Sequence, residues 1–226
     1  MVQKLKRNDR KFGERVRGVA RRIAVSAMII GAVFLLPGKA SAGGSIELMA
    51  GKKTATTDVK ASAQITDKIG LFARGRTTTD LAAHNLSTFG LVDLSLNLAG
   101  PVEMVMETQM ASGTATPRFG LQYFGVLGDF SIYTLLTASH GATPDIESLT
   151  SIMFTPTLTE GVKLLAQIEN ITNGTLDAHS FSIQRIRMGL STLDGKLVFG
   201  PALDLLEVGK DGTTTQNVGG FVSGKF

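Results

Sequence analysis

The chain has no cysteine and no tryptophan, and only two tyrosines and three histidines among its 226 residues. Without cysteine there is no disulfide, no thiol nucleophile and no cysteine-based zinc cluster, so an exported chain of this size must be held by its core or by closing its sheet. No GxSxG, HExxH or GxxxxGK[ST] pattern is present, which removes the usual signatures of a serine hydrolase, a zinc protease and a phosphate-binding loop. Beyond Leu36 no apolar run approaches the length of a membrane-spanning helix. No cofactor and no metal ion is called for by any of these patterns.

What is present begins with a leader. Residues 1–22 carry nine of the 23 lysines and arginines, Ile23 to Leu36 is largely apolar, and Ala40-Ser41-Ala42 follows Pro37-Gly38-Lys39. A basic start, a short apolar stretch and a small-x-small site, built on Ala40 and Ala42, read as a secretory signal over residues 1–42 that is cleaved after Ala42. As a membrane anchor the run falls short of the roughly 18–20 apolar residues that a spanning helix needs. The leader holds ten basic and two acidic side chains, leaving 13 basic and 17 acidic ones and a net charge of −4 over residues 43–226. The pI of 9.4 therefore describes the precursor. With no basic patch interleaved with aromatics, no nucleic acid partner is expected.

Residues 43–226 read as a single β domain. From Gly90 to Leu98, Val92, Leu94, Leu96 and Leu98 alternate with Asp93, Ser95 and Asn97, the period of a strand with one apolar and one wet face. Ala99-Gly100-Pro101 breaks the run, and Val102, Met104 and Met106 then alternate with Glu103, Glu107 and Gln109, Val105 standing out of phase. A hairpin follows from this pattern.

Short turn signals recur along the chain, at 66–68, 99–101, 127–129, 159–161 and 193–195. They alternate with polar connections expected to be longer, near 52–58, 77–87, 111–117, 140–145, 172–178 and 209–216. The expectation is about twelve antiparallel strands in an up-and-down meander, with both termini on the short-turn side. Arg185 and Arg187 differ in parity from Ser182 and Gln184, and a bulge at Gln184–Arg185 would keep all four on the wet face.

Two arrangements fit the alternation: a soluble β-protein with the apolar face as its core, or a membrane barrel with that face on lipid and polar groups within. Alternating connection lengths and an even strand count favour the barrel. The chain also ends on Phe226, with Val222 and Val218 of the same parity. In its leader, its meander and this terminal aromatic residue it resembles bacterial outer-membrane β-barrels, porin-like ones included. That resemblance implies an all-β transmembrane barrel in the outer membrane of a diderm bacterium, outer-membrane lipid as its surroundings, and a barrel-assembly machinery that reads Phe226. A homo-oligomer is left open. The thin supply of tyrosine and tryptophan departs from the class, whose aromatic girdles would here fall to the 12 phenylalanines.

The wet face supplies the candidate pore-lining residues: Arg74, Arg76, Asp93, Glu103, Glu107, Arg118, Lys163, Glu169, Arg185, Arg187, Lys196 and Asp204. A barrel of about twelve strands lies between the filled eight-stranded and the open sixteen-stranded kind. Mixed charge inside it would set up a transverse field for small polar solutes, or close the lumen as a network of ion pairs. The expected function is accordingly a small passive pore or a structural barrel. A soluble exported β-protein that binds a ligand or forms a surface assembly is the first alternative. The second is an outer-membrane hydrolase built on His84, His140 or His179 beside Asp80, Asp145 or Asp177, all in or near the longer connections.

Overall fold

The computed structural model describes residues 42–226 apart from 142, 193–194 and 210–211. The proposed leader, Ala40 included, lies outside the described residues, whereas Ala42 is paired with Ala63 at the start of the first strand. Among the described residues every regular element is a strand. β1 (Ala42–Gly51), β2 (Thr54–Gln64), β3 (Ile69–Asp80) and β4 (Leu86–Ala99) come first. β5 (Val102–Ala111), β6 (Thr114–Leu127), β7 (Phe130–Ser139) and β8 (Ile146–Phe154) follow. The short β9 (Thr157–Thr159) precedes β10 (Val162–Gly174), β11 (His179–Thr192), β12 (Leu197–Val208) and β13 (Thr213–Lys225). Because β8 and β9 both pair with β10, one continuing the other, the thirteen segments make a wall of twelve staves.

Each stave pairs antiparallel with its neighbours, and β13 returns to β1 with Ser45 opposite Lys225 and Gly51 opposite Gly219. The sheet is thus a closed barrel, which removes the unpaired edge that an open sheet would expose. At the seam Gly44 N–H donates to the Phe226 carbonyl at 2.9 Å, and Phe226 N–H donates to the Gly44 carbonyl at 3.0 Å. A Cβ on Gly44 would come within 2.8 Å of the Lys60 carbonyl oxygen, a backbone atom of the neighbouring strand, so this close approach requires glycine. The β4–β5 hairpin has the expected shared faces, Asp93 opposite Glu107 and Leu94 opposite Met106, and Gly100 makes its turn at φ 56°.

Adjacent residues on one strand decide which face is inside. Arg118 is 1% exposed and Phe119 is 52% exposed. The same inversion holds on β4 and β5, where Leu94, Leu96, Leu98, Met104 and Met106 are exposed while Asp93 and Glu107 are buried. The apolar face is therefore the outer surface and not a protein core. Val105 is no exception to the alternation: it faces inward and is fully buried with Leu135 and Leu149, against Tyr133 and Ile171. A second inward cluster joins Met49, Leu165, Val198, Ala202 and Phe221.

Several sequence expectations need correction. The connections 52–53 and 112–113 are two-residue turns, and 81–85, 140–145, 175–178 and 209–212 hold only four to six residues. The marked short/long asymmetry is absent. Thr54 to Asp58, Thr77 to Thr79 and Thr114 to Pro117 are strand, because threonine is β-branched and suits a pleated surface. Ser112 and Gly113, both at positive φ (51° and 87°), make the tight hairpin turn that lets β6 begin early. The bulge expected at Gln184–Arg185 is not there: Gln184 sits opposite Leu205 and Arg185 opposite Asp204 in unbroken register, so Gln184 points outward and the arginines inward.

Candidate functional site

The lumen carries two chemically different walls. The first is made by β1, β2, β3, β10, β11 and β12. Arg74 Nε donates to both carboxylate oxygens of Asp58, at 2.9 and 3.1 Å, and its Nη2 also contacts Asp58. The same Nη2 reaches Glu169 Oε1 at 3.4 Å, and Arg185 Nη1 donates to that oxygen as well. Lys60 Nζ lies 4.0 Å from Glu169 Oε2. Arg187 donates to Glu47 at 3.0 Å and to Asp204 at 2.7 Å, while Arg76 reaches Asp204 at 3.4 Å. The Arg187 guanidinium also lies 5.7 Å from the centre of the Phe221 ring, an apolar surface that a weakly hydrated cation can cover. Five cations here meet four carboxylates: Lys60, Arg74, Arg76, Arg185 and Arg187 against Glu47, Asp58, Glu169 and Asp204.

The Arg74–Glu169 contact has a special place. Twelve staves close the barrel, and β3 and β10 stand six apart whichever way the wall is followed, so this bond crosses the full diameter. It makes a latch at mid-lumen.

The second wall, β4 to β8, is dominated by carboxylates. Arg118 is its single arginine: it donates to Thr137 Oγ1 at 3.0 Å and to Asp145 Oδ2 at 2.9 Å, and lies 3.5 Å from Glu107. Gln109 bridges Glu107 and Glu147 with 2.8 Å bonds to each. Asn173, from β10, bonds Asp145 at 3.0 Å. Nearer the terminus-side rim, Gln122 donates to Glu103 at 2.6 Å and accepts from the Tyr133 hydroxyl at 2.9 Å. Asp93 Oδ1 and Glu107 Oε2 are buried with no hydrogen-bond partner. The first wall is thus close to balanced and fully ion-paired, whereas the second carries surplus carboxyl groups.

Of the residues read as candidates from sequence, Arg74, Arg76, Asp93, Glu103, Glu107, Arg118, Glu169, Arg185, Arg187 and Asp204 all face this interior. Lys163 and Lys196 do not join them. Lys163 is an exposed residue at the start of β10, and Lys196 is exposed in the turn before β12, because their strands have only begun at those positions. Sequence reading missed Asp58, which it placed in a loop, and Lys60 and Glu147. The signal was available: Asp58 shares parity with Thr56 and Lys60, and Glu147 with Leu149 and Ser151.

The three histidines do lie on one rim, opposite the termini. His179 bonds the Gly209 carbonyl at 3.2 Å and Ser182 Oγ at 2.9 Å, a structural arrangement that closes the β11–β12 rim. Asp80 is used by the backbone N–H groups of Ala82 and Ala83, and Asp145 by Arg118 and Asn173. Among the described residues no histidine is hydrogen-bonded to a carboxylate, and no group of three or more His, Asp or Glu side chains is arranged to hold a metal ion.

No protein-family model and no curated relative matches the chain. Among solved structures it is similar to the KdgM porin in complex with disordered oligogalacturonate, with 12% identity over 81% of this chain and 99% of that one and a TM-score of 0.47. The NanC porin gives 9% identity over 81% and 98%, with a TM-score of 0.47. An outer membrane channel from Pseudomonas putida F1 gives 11% identity over 84% and 97%, with a TM-score of 0.44. At such identities the likeness is one of barrel architecture alone.

Proposed function

We propose that the chain is an outer-membrane barrel acting as a narrow passive pore for small polar solutes, restricted at mid-lumen by the Arg74–Glu169 latch. The observation that carries this reading is the inverted distribution of polarity: buried charges inside, with an ion-paired wall facing a carboxylate-rich one, and an apolar outer surface. A soluble protein rarely exposes so continuous an apolar surface. Staves of nine to fourteen residues, setting aside the short β9, match the roughly 9–11 residues a tilted strand needs to cross a bilayer. The leader supports export, and Phe226 at the seam supports recognition by the assembly machinery.

The diametric ion pair also supports a second reading, a barrel whose lumen is shut and whose role is structural. The experiment that separates them is refolding into micelles and planar bilayers, with mobility on an unboiled gel and single-channel current recorded on the same preparation. A heat-modifiable band with discrete current steps is the expected result. A heat-modifiable band without current would give the structural reading. Folding in plain buffer with no affinity for lipid would remove the membrane reading altogether.

A further inference from the structure

Below the latch, in the half of the lumen nearer the termini, lies a cavity of about 730 Å³, bordered by Gln64, Gly70 and Ser131 close to the connections 65–68 and 128–129. Its volume is that of a small-molecule site. Its lining is also that of a site rather than of a plain water channel, since Phe72, Phe124, Leu135 and Leu149 supply apolar surface between the polar groups. Arg74 and Glu169, which form its floor, are engaged with each other, and Lys60 stands against Glu169.

The unmet demand is on the opposite wall. Asp93 lines the cavity, is 3% exposed, and has one carboxylate oxygen without a partner. It stands directly opposite Glu107 in the β4–β5 register and shares a side-chain hydrogen bond with it, so its strand neighbour adds a second carboxyl group and no cation. Glu103 borders the same cavity, its position fixed through Gln122 and Tyr133. The charged side chains of the lining are Lys60 and Arg74 against Asp93, Glu103 and Glu169, which leaves the cavity with surplus negative charge and surplus acceptors. What fits is a donor that carries positive charge, on a body apolar enough to lie against phenylalanine and leucine. The Tyr133 ring in the lining is a further surface that favours a cation.

We propose that this cavity binds small amphipathic primary amines, the ammonium group being held by Asp93. Binding does not require the latch to open, so the inference stands or falls separately from conduction. The test is titration calorimetry on the barrel purified from membranes in non-ionic detergent, with phenethylamine as the probe and 3-phenylpropionate as the probe of equal bulk and opposite charge. Expected is saturable one-site binding of phenethylamine, no comparable binding of 3-phenylpropionate, and a loss of at least tenfold in amine affinity in Asp93→Asn. Glu103→Gln, at a less buried position, is expected to weaken the amine by several-fold and serves if Asp93→Asn gives no heat-modifiable band. Equal binding of both probes, unchanged affinity in the folded variants, or no saturable binding to a heat-modifiable wild-type barrel would each overturn the proposal. Amine binding without channel current would leave it standing and remove the pore reading.

Discussion

Replacing Arg74 with methionine tests the ion pairing of the first wall most sharply, because the side chain keeps its unbranched apolar stem and loses the guanidinium that holds Asp58. In the native barrel Asp58 is 5% exposed and takes its hydrogen bonds from Arg74, with Arg76 Nη1 no nearer than 4.0 Å. Glu169 would keep Arg185 and Lys60, so the charge left uncompensated is that of Asp58. Removing one partner of a buried, hydrogen-bonded ion pair costs about 3–5 kcal/mol, mostly as the penalty on the charge that remains. Against a folding stability of about 5–15 kcal/mol this is a large share. The double variant Arg74→Met/Asp58→Asn removes the stranded charge as well, and is expected to recover most of the loss. Urea titration of the refolded barrel, read as the fraction migrating as the compact band on an unboiled gel, measures both. A single-variant loss below about 1 kcal/mol, the size of an exposed pair, would refute the reasoning, since it would place Asp58 in open water. So would a double variant no more stable than the single one.

On the outer face, Leu121→Arg at the middle of β6 is expected to destabilise the barrel in lipid by about 2–4 kcal/mol, the cost of an arginine at the bilayer midplane; a change within about 0.5 kcal/mol, as at an ordinary wet surface, would speak against lipid contact there. Asn217 accepts from Lys53 N–H at 2.9 Å and Thr54 N–H at 3.2 Å and donates to Thr54 Oγ1 at 2.8 Å. Asn217→Ala is therefore expected to cost about 1–3 kcal/mol by the same urea assay, through unpaired backbone groups at the β1–β2 turn, and an unchanged midpoint would contradict that role.

The parts of the fold that were legible in the sequence are those where period-2 alternation is strong. The β4–β5 hairpin and the inward parity of Arg74, Glu107 and Arg118 follow from it, whereas the twelve-strand meander was read from the recurrence of turn signals along the chain. Loop boundaries were not legible, because threonine was read as a loop residue where its branching makes it strand, and so Asp58, the nearest partner of Arg74, was lost to a connection. Val105 read as an error in the pattern because an apolar residue inside a barrel looks the same as a phase slip. Parity could place Arg74 and Glu169 in the lumen, but their pairing across it depends on which staves face each other, which no local pattern encodes. The bulge expected at Gln184 arose from treating glutamine as obligatorily inward, whereas its position on β11 lies on the outer face.

The most direct measurement is single-channel current through the wild-type barrel and through Arg74→Met/Asp58→Asn, which removes the latch without stranding a buried charge, in the same planar bilayers. The account predicts discrete steps in both, larger in the variant because the bond that crosses the diameter is gone and the remaining charges stay on their walls. Heat-modifiable barrels that carry no current in either form would contradict it.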